Sequence, residues 1–196
     1  PGVGRANDRP RPVGDGIRPG PHILTMAARP TVLILGGGIG GQVAAARLAR
    51  RAGGRVRVVL VEQDATFTFA PSLLWVMTGA RRLRQIQRPT ARLRRSGAEI
   101  VQAVVTGLDL DGRRVETTAG PLAYDRLVLA LGAELAPQAV PGFAEASLSF
   151  YTPGGAEAVR DALAAFPGGS LAILIGGAPF KCPAAPYEAA LLADEL

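Results

Sequence analysis

Three sets of residues in this chain have the types and spacing to do chemistry. Gly36, Gly38 and Gly41, in TVLILGGGIGG over 31–41, form G-x-G-x-x-G, with Ile39 and Gly40 between the last two glycines. In such a pattern the first glycine permits a tight turn, the second lets backbone approach a pyrophosphate, and the third allows a helix to pack closely on a strand. Glu62 follows about twenty residues later at the end of an apolar run, where a carboxylate can accept hydrogen bonds from a ribose diol. It argues against a 2′-phosphate and leaves FAD and NAD both open. The third candidate is Cys182, the only cysteine, in LAILIGGAPFKCP over 171–183. That segment starts like the first, but it lacks the third glycine. Pro179 and Phe180 add bulk where a pyrophosphate needs bare backbone. Placement just before a helix N-terminus, beside Lys181, favours a thiolate. Glu188, further along that helix, is a candidate proton relay. On composition alone a lone cysteine reads as a small buried hydrophobe, and Glu188 as a solvated helix carboxylate; the neighbours of Cys182 reverse the first reading.

The elements that must position these groups are legible from periodicity. Residues 31–36 are a continuous β-branched and leucine run, as in a parallel strand covered on both faces. Residues 42–51 read as a helix, with Val43, Ala44, Leu48 and Ala49 on one face and Gly53-Gly54 as its stop. Residues 55–62 read as a second strand, completing a βαβ unit. Residues 67–79 are apolar without clear period, and Trp75 and Met77 there read as core packing. Residues 81–95 read as a basic helix with Leu83, Ile86 and Leu93 on one side. Residues 99–110, the Asp111-Gly112 turn and 115–118 read as an inserted β-hairpin. Residues 124–132 read as a buried strand, 152–166 as a helix stopped by Pro167-Gly168-Gly169, and 171–175 as another parallel strand. A last helix runs over 184–196, with Pro183 in its first turn. The expected class is α/β: a Rossmann-like FAD/NAD(P)-binding domain with an inserted hairpin, then the start of a second Rossmann-like unit. The expected division is a disordered extension over 1–29, a dinucleotide-binding domain over 30–143 and part of a second domain over 144–196.

Composition excludes several other classes. With 196 residues and 48% apolar side chains the chain buries a real core. The formal charge of +6 comes almost wholly from arginine, with Lys181 the sole lysine, and Arg5, Arg9, Arg11, Arg18 and Arg29 lie in the leading segment. No basic stripe with interleaved aromatics argues for nucleic acid. One cysteine makes no internal disulfide, and no His/Cys cluster holds a metal. His22 lies in a Pro/Gly/Arg-rich stretch and reads as idle. That stretch has no signal-peptide core ahead of Met26, which reads as a natural start, and no apolar run is long enough to span a membrane. The expected location is the cytoplasm.

The order of glycine motif, acid-ended strand, hairpin and then YDRLVLALG and VPGF resembles the FAD-binding half of flavoproteins in the disulfide-reductase superfamily. PFKCPAAPYEAALLADEL and TFAPSLLWVMTGARR resemble, more narrowly, sulfide:quinone oxidoreductases and the flavoprotein subunit of flavocytochrome c sulfide dehydrogenase. The resemblance runs from about Thr31 to Leu196. It implies FAD at the first site, with Gln63, Pro71, Val105, Ala130 and Gly132 joining the glycine turn as cofactor contacts. It further implies a redox-active Cys182 that takes up sulfide sulfur, and a quinone or cytochrome as electron acceptor. Two departures stand out. The flavocytochrome relatives attach FAD through a cysteine near Pro71, where this chain has Ala70, so the flavin is expected to be non-covalent. Bacterial relatives often carry another cysteine where this chain has Ser149, Phe150 and Tyr151. The resemblance also implies a partner cysteine and a quinone or membrane-docking region beyond Leu196, hence peripheral association with the inner membrane face and an N-terminal fragment inactive alone. The alternatives are a type II NADH dehydrogenase-like flavoenzyme and a non-catalytic, truncated dinucleotide-binding fragment.

Overall fold

The apolar run at 31–35 becomes a central strand because it finds a parallel partner on each side. The computed structural model describes residues 29–196; the expected N-terminal extension, with His22 and Met26, lies outside the described residues apart from Arg29. Strand β1 (Thr31–Leu35) pairs with β2 (Arg57–Glu62), Thr31 opposite Arg57 through Leu35 opposite Val61. On its other side it pairs with β9 (Arg126–Leu129), Val32 opposite Arg126 through Leu35 opposite Leu129. Strand β5 (Glu99–Gln102) runs parallel to β2, giving the order β5-β2-β1-β9.

Alternation along the strands sorts their side chains onto two faces. Leu33, Leu35, Val59 and Val61 pack with Ala103 and Val115, beneath an antiparallel sheet of β6 (Val105–Asp109), β7 (Arg114–Thr117) and β8 (Leu122–Ala123). Ile34, Val58 and Leu60 pack with Ala45 and Ala98 on the other face, under helix α1 (Ile39–Ala52). The layers are therefore helix, parallel sheet and meander, the α/β class read from the sequence. Each of these fully buried aliphatic side chains contributes about 1.5–3 kcal/mol relative to exposure, so β1 and β2 anchor the fold.

Helix α1 meets the sheet through its smallest residues. Gly41 and Ala45 are buried, whereas Val43 and Leu48, expected to face inward, are 49% and 38% exposed. The close approach leaves room for nothing larger, and Gly53 in the left-handed region ends the helix as read.

The expected helix over 81–95 is broken. Only α3 (Leu83–Ile86) is α-helical; β4 (Gln87–Pro89) then pairs antiparallel with β3 (Thr66–Thr68), and 90–96 is a 3-10 segment closed by Gly97. Pro89 removes an amide and biases Arg88 toward extended backbone, which accounts for the break. The expected strand over 99–110 also divides: β5 joins the parallel sheet, and only β6 forms the hairpin with β7. Its turn is as read, Gly112 N donating to Asp109 Oδ1 at 2.8 Å. The buried strand expected over 124–132 shortens to β9 at the sheet edge, where Leu129 is 60% exposed.

The helical side is assembled around α2 (Leu73–Met77), which follows a 3-10 turn over Ala70–Ser72. Leu73 and Val76 pack with Ile86 and with Ala156 of α5 (Pro153–Ala164). Leu74 and Met77 pack with Ala185 and Ala189 of α6 (Ala185–Asp194). Helix α4 (Phe143–Ala146) is a single turn. Met77 is core as expected, but Trp75 is 44% exposed, with the Arg81 guanidinium 4.5 Å over its ring. Helix α5 starts as read, Thr152 Oγ1 accepting from Gly155 N at 3.0 Å. In α6 it is Pro186, not Pro183, that occupies the first turn, and the helix ends at Asp194 rather than continuing to 196. The parallel strand expected over 171–175 does not form among the described residues; Leu171, Leu174 and Ile175 are 51%, 67% and 44% exposed.

Candidate functional site

The glycine turn begins while the chain is still pinned between both neighbouring strands. Ala130 N donates to Leu35 O at 2.8 Å, and Gly36 N donates to Val61 O at 2.9 Å. Gly36 has φ +98, and a side chain there would strike the Ala130 carbonyl. A side chain at Gly41 would strike the Gly36 carbonyl, so helix and strand approach as closely as the motif predicts. Gly38 caps α1, and the first intrahelical bond is Gln42 N to Gly38 O at 3.0 Å. The amides of Ile39, Gly40 and Gly41 precede that bond and remain free for a ligand at the positive end of the helix. A Cβ at Gly38 or Gly40 would meet nothing within 4 Å. The result is an open, amide-lined cradle at the C-terminal ends of parallel strands, on the switch point of the sheet order.

Glu62 closes one side of this cradle. Its Oε2 accepts from Gly37 N, and its Oε1 accepts from Asp64 N at 2.9 Å. Gln42 Nε2 donates to Gly37 O at 2.9 Å. The turn is thus held in shape by Gly37 and Gln42, two residues that the motif pattern did not single out; the only signal was a polar Gln42 in a first turn otherwise made of glycine and apolar residues. The structure brings Gly36, Gly38, Ile39, Gly40, Gly41, Glu62 and Ala130 together. Gly132 lies two residues beyond Ala130, exposed and at φ +78. Gln63 is exposed, its carbonyl accepting from Gln102 Nε2 at 3.4 Å. Pro71 and Val105 belong to other elements: Pro71 is exposed in the 3-10 turn ahead of α2, and Val105 begins β6, packed against the Leu33–Val59 cluster.

Cys182 lies in the second region. Its thiol is free and exposed, and its φ of +50 puts a non-glycine residue in the left-handed region. Its carbonyl accepts from Ala185 N at 3.1 Å, on the approach to α6, whose N-cap Ala184 supplies no side-chain acceptor. Glu188 is exposed in the first turn of that helix. The Tyr151 hydroxyl donates to Lys181 O at 2.6 Å. The ring of Tyr151 stacks on Phe150 with centroids 4.9 Å apart. Burial, and then the nearby Cys182, push the Tyr151 phenol up from its ordinary value. Sequence reasoning gave Tyr151 no such role, because the contact joins residues thirty apart. Gly176 does not open onto a helix; a Cβ there would meet the Phe143 ring at 3.2 Å. It lines an apolar groove of about 710 Å³ between residues 133–151 and 173–181. Among the described residues no group of His, Cys, Asp and Glu could hold a metal, and no helix is long and apolar enough to cross a membrane.

Comparison with known proteins follows the same geography. The pyridine nucleotide-disulphide oxidoreductase family matches residues 30–181. Demethylphylloquinone reductase NdbB of Synechocystis is 37% identical over 64% of this chain and 33% of its own length. Mouse mitochondrial sulfide:quinone oxidoreductase is 31% identical over 83% of this chain and 37% of its own. The Arabidopsis alternative NAD(P)H-ubiquinone oxidoreductase C1 is 34% identical over 63% and 27%. Among solved structures, the sulfide:quinone oxidoreductase of Aquifex aeolicus superposes with a TM-score of 0.62 at 27% identity, covering 69% of this chain and 32% of that one. The chain thus spans about a third of the length of the curated relatives that it matches.

Proposed function

The chain belongs to the pyridine nucleotide-disulphide oxidoreductase family of FAD-binding flavoproteins, and from that premise we propose that it forms the flavin-binding part of an oxidoreductase delivering electrons to a quinone. The observation that carries this is the cradle at Gly36–Gly41: free helix amides, open space at Gly38 and Gly40, and Glu62 at its edge fit a dinucleotide. Bound FAD would supply the two-electron carrier. The amides of Ile39, Gly40 and Gly41 would hold its pyrophosphate, and Glu62 would accept from its ribose diol. Gln63, Pro71, Val105, Ala130 and Gly132 are assigned as further contacts by resemblance alone. A quinone acceptor, rather than a cytochrome, is supported by the three relatives above, each of which has a quinone in its name. Such an acceptor suits peripheral attachment to a membrane.

For the electron donor, the reading is sulfide or a related reduced sulfur species engaged by Cys182, with Glu188 as proton relay. Two observations support it: the thiol is exposed on a left-handed residue beside a helix N-terminus, and Gly176 packs under Phe143 instead of opening a second cradle. NADH is the second reading, favoured by the likeness to the NAD(P)H-ubiquinone oxidoreductase, which is of the same order as that to the sulfide enzyme. Anaerobic titration of the FAD-loaded protein distinguishes them. The expected result is bleaching of the flavin by sulfide, lost in Cys182→Ser while FAD stays bound. Bleaching by NADH alone would transfer the donor role to NADH, and bleaching by sulfide in the variant would remove Cys182 from the reaction.

A further inference from the structure

Residues 39–98 contain only two acidic side chains, Glu62 and Asp64, and both lie at the dinucleotide cradle. Six of the twelve arginines of the same stretch lie where α1 meets the 3-10 segment over 90–96. These two elements pack through Ala49 and Gly97, where a Cβ on Gly97 would touch Ala49 Cβ at 3.8 Å. Leu93 of the 3-10 segment turns inward to the cluster that also holds Ala44 and Ala49. The residues on either side of Leu93, namely Arg92, Arg94 and Arg95, are exposed, as are Arg47, Arg50 and Arg51 on α1. At 100° per residue, Arg50 stands on the flank of α1 next to Ala49, and Arg47 faces outward beyond it, so the two sets of arginines border one another. None of the six forms an ion pair among the described residues, whereas Arg57, Arg114 and Arg160 each do.

We propose that this α1–3-10 face docks the protein on an anionic lipid bilayer. The inference rests on the reading that the acceptor is a lipid-soluble quinone, and it adds where on this chain the bilayer is met. Charge complementarity carries it: an uncompensated arginine field is attracted to acidic headgroups and is effective only within about 10 Å of them at ordinary salt. The side chains between the arginines are Leu48, Ala46 and Ala91, with no aromatic platform on which a nucleic-acid base would stack. Half-exposed Leu48 instead adds a short apolar contact at headgroup depth.

The test is sedimentation of the full chain with phosphatidylcholine vesicles, with and without an equal part of phosphatidylglycerol. Binding is expected only to the anionic vesicles, and it should weaken as salt rises. Each arginine at such a surface strengthens binding about fivefold, so the triple variant R50Q/R92Q/R95Q should bind about a hundredfold more weakly. R113Q/R114Q/R126Q, which removes equal charge from the meander and the β9 edge, should lose much less. Equal losses in the two variants would overturn the assignment of the face. So would equal binding to neutral vesicles, or salt-sensitive binding to duplex DNA without binding to anionic vesicles. If the first variant fails to melt cooperatively, R47Q/R51Q takes its place, with an expected loss of about twenty-fivefold against a smaller loss in R113Q/R126Q. Vesicle binding is read without redox chemistry, so the docking face and the quinone reading can fail separately.

Discussion

Alanine substitutions at two glycines of the same turn should separate packing from ligand approach. At Gly41 the added methyl would overlap the Gly36 carbonyl and stand 3.4 Å from Leu60 Cδ1, and a backbone carbonyl cannot rotate away as a side chain can. Overpacking of this kind costs about 1–3 kcal/mol, and the fixed obstacle puts Gly41→Ala near the upper end. Alanine recovers about 1 kcal/mol through its higher helix propensity, leaving a net loss of about 2 kcal/mol. For a chain of this size that is a fall in Tm of about 4–8 °C. Gly38 is the opposite case: φ −66 and ψ −173 are ordinary for alanine, and the methyl would meet nothing within 4 Å. Gly38→Ala should melt within about 2 °C of the parent, yet bind FAD about tenfold or more weakly, because the methyl projects where the pyrophosphate approaches. Differential scanning fluorimetry gives the first quantity and quenching of FAD fluorescence the second. A Gly38→Ala protein that binds FAD like the parent, or that loses as much stability as Gly41→Ala, would refute the cradle.

Three further outcomes follow from individual contacts. Thr152→Ala removes the side-chain acceptor that caps α5 and should lower stability by about 1 kcal/mol, read as a shift in urea midpoint. The hydrogen bond from Arg57 holds the Glu99 carboxyl below its ordinary range, against a smaller opposing effect of burial. A carboxyl whose pKa is depressed on folding stabilises at pH above the unfolded value of about 4.3 and loses that contribution as pH falls through the folded value. Because the pair is largely exposed, Glu99→Gln should cost only about 0.5 kcal/mol at neutral pH, and the gap should close as the Glu99 carboxyl becomes protonated in acid; a gap independent of pH would refute the pairing. Tyr151→Phe deletes the donor to Lys181 O. It should cost about 1 kcal/mol and speed alkylation of Cys182 at constant pH by releasing the segment that carries it; an unchanged rate would show that Tyr151 does not anchor the thiol.

Where local chemistry decided the structure, the sequence was legible. The βαβ unit followed from one apolar run, a glycine turn and an acid-ended strand, and α5 from the helical pattern that begins at Thr152. Where partners decided it, the sequence was silent. Residues 99–110 have strand composition throughout, but nothing local says that Glu99–Gln102 will choose β2 and Val105–Asp109 will choose β7. Val43 and Leu48 fit an apolar helical face, yet the close approach at Gly41 turns that face away from the sheet. Likewise Glu62 could be named from spacing, whereas its bond to Gly37 N depends on how the turn closes over β2.

The two glycine-bearing segments show why a motif becomes a site only when its surroundings hold it. Both begin with apolar residues and a glycine pair, LILGG at 33–37 and ILIGG at 173–177. In the first, β2 and β9 take up the backbone groups of the strand, so the chain reaches Gly36 in fixed register and Gly41 brings α1 down onto it. The backbone amides then converge because the helix begins where the strand ends. In the second, no ladder forms among the described residues, Gly176 lies against Phe143, and the chain runs through Pro179 and Phe180 before α6 begins at Ala185. The interval places a side chain, the thiol of Cys182, near the helix start in place of convergent amides. The residues between glycine and helix therefore decide whether such a segment ends on free amides, which can hold phosphate, or on a side chain.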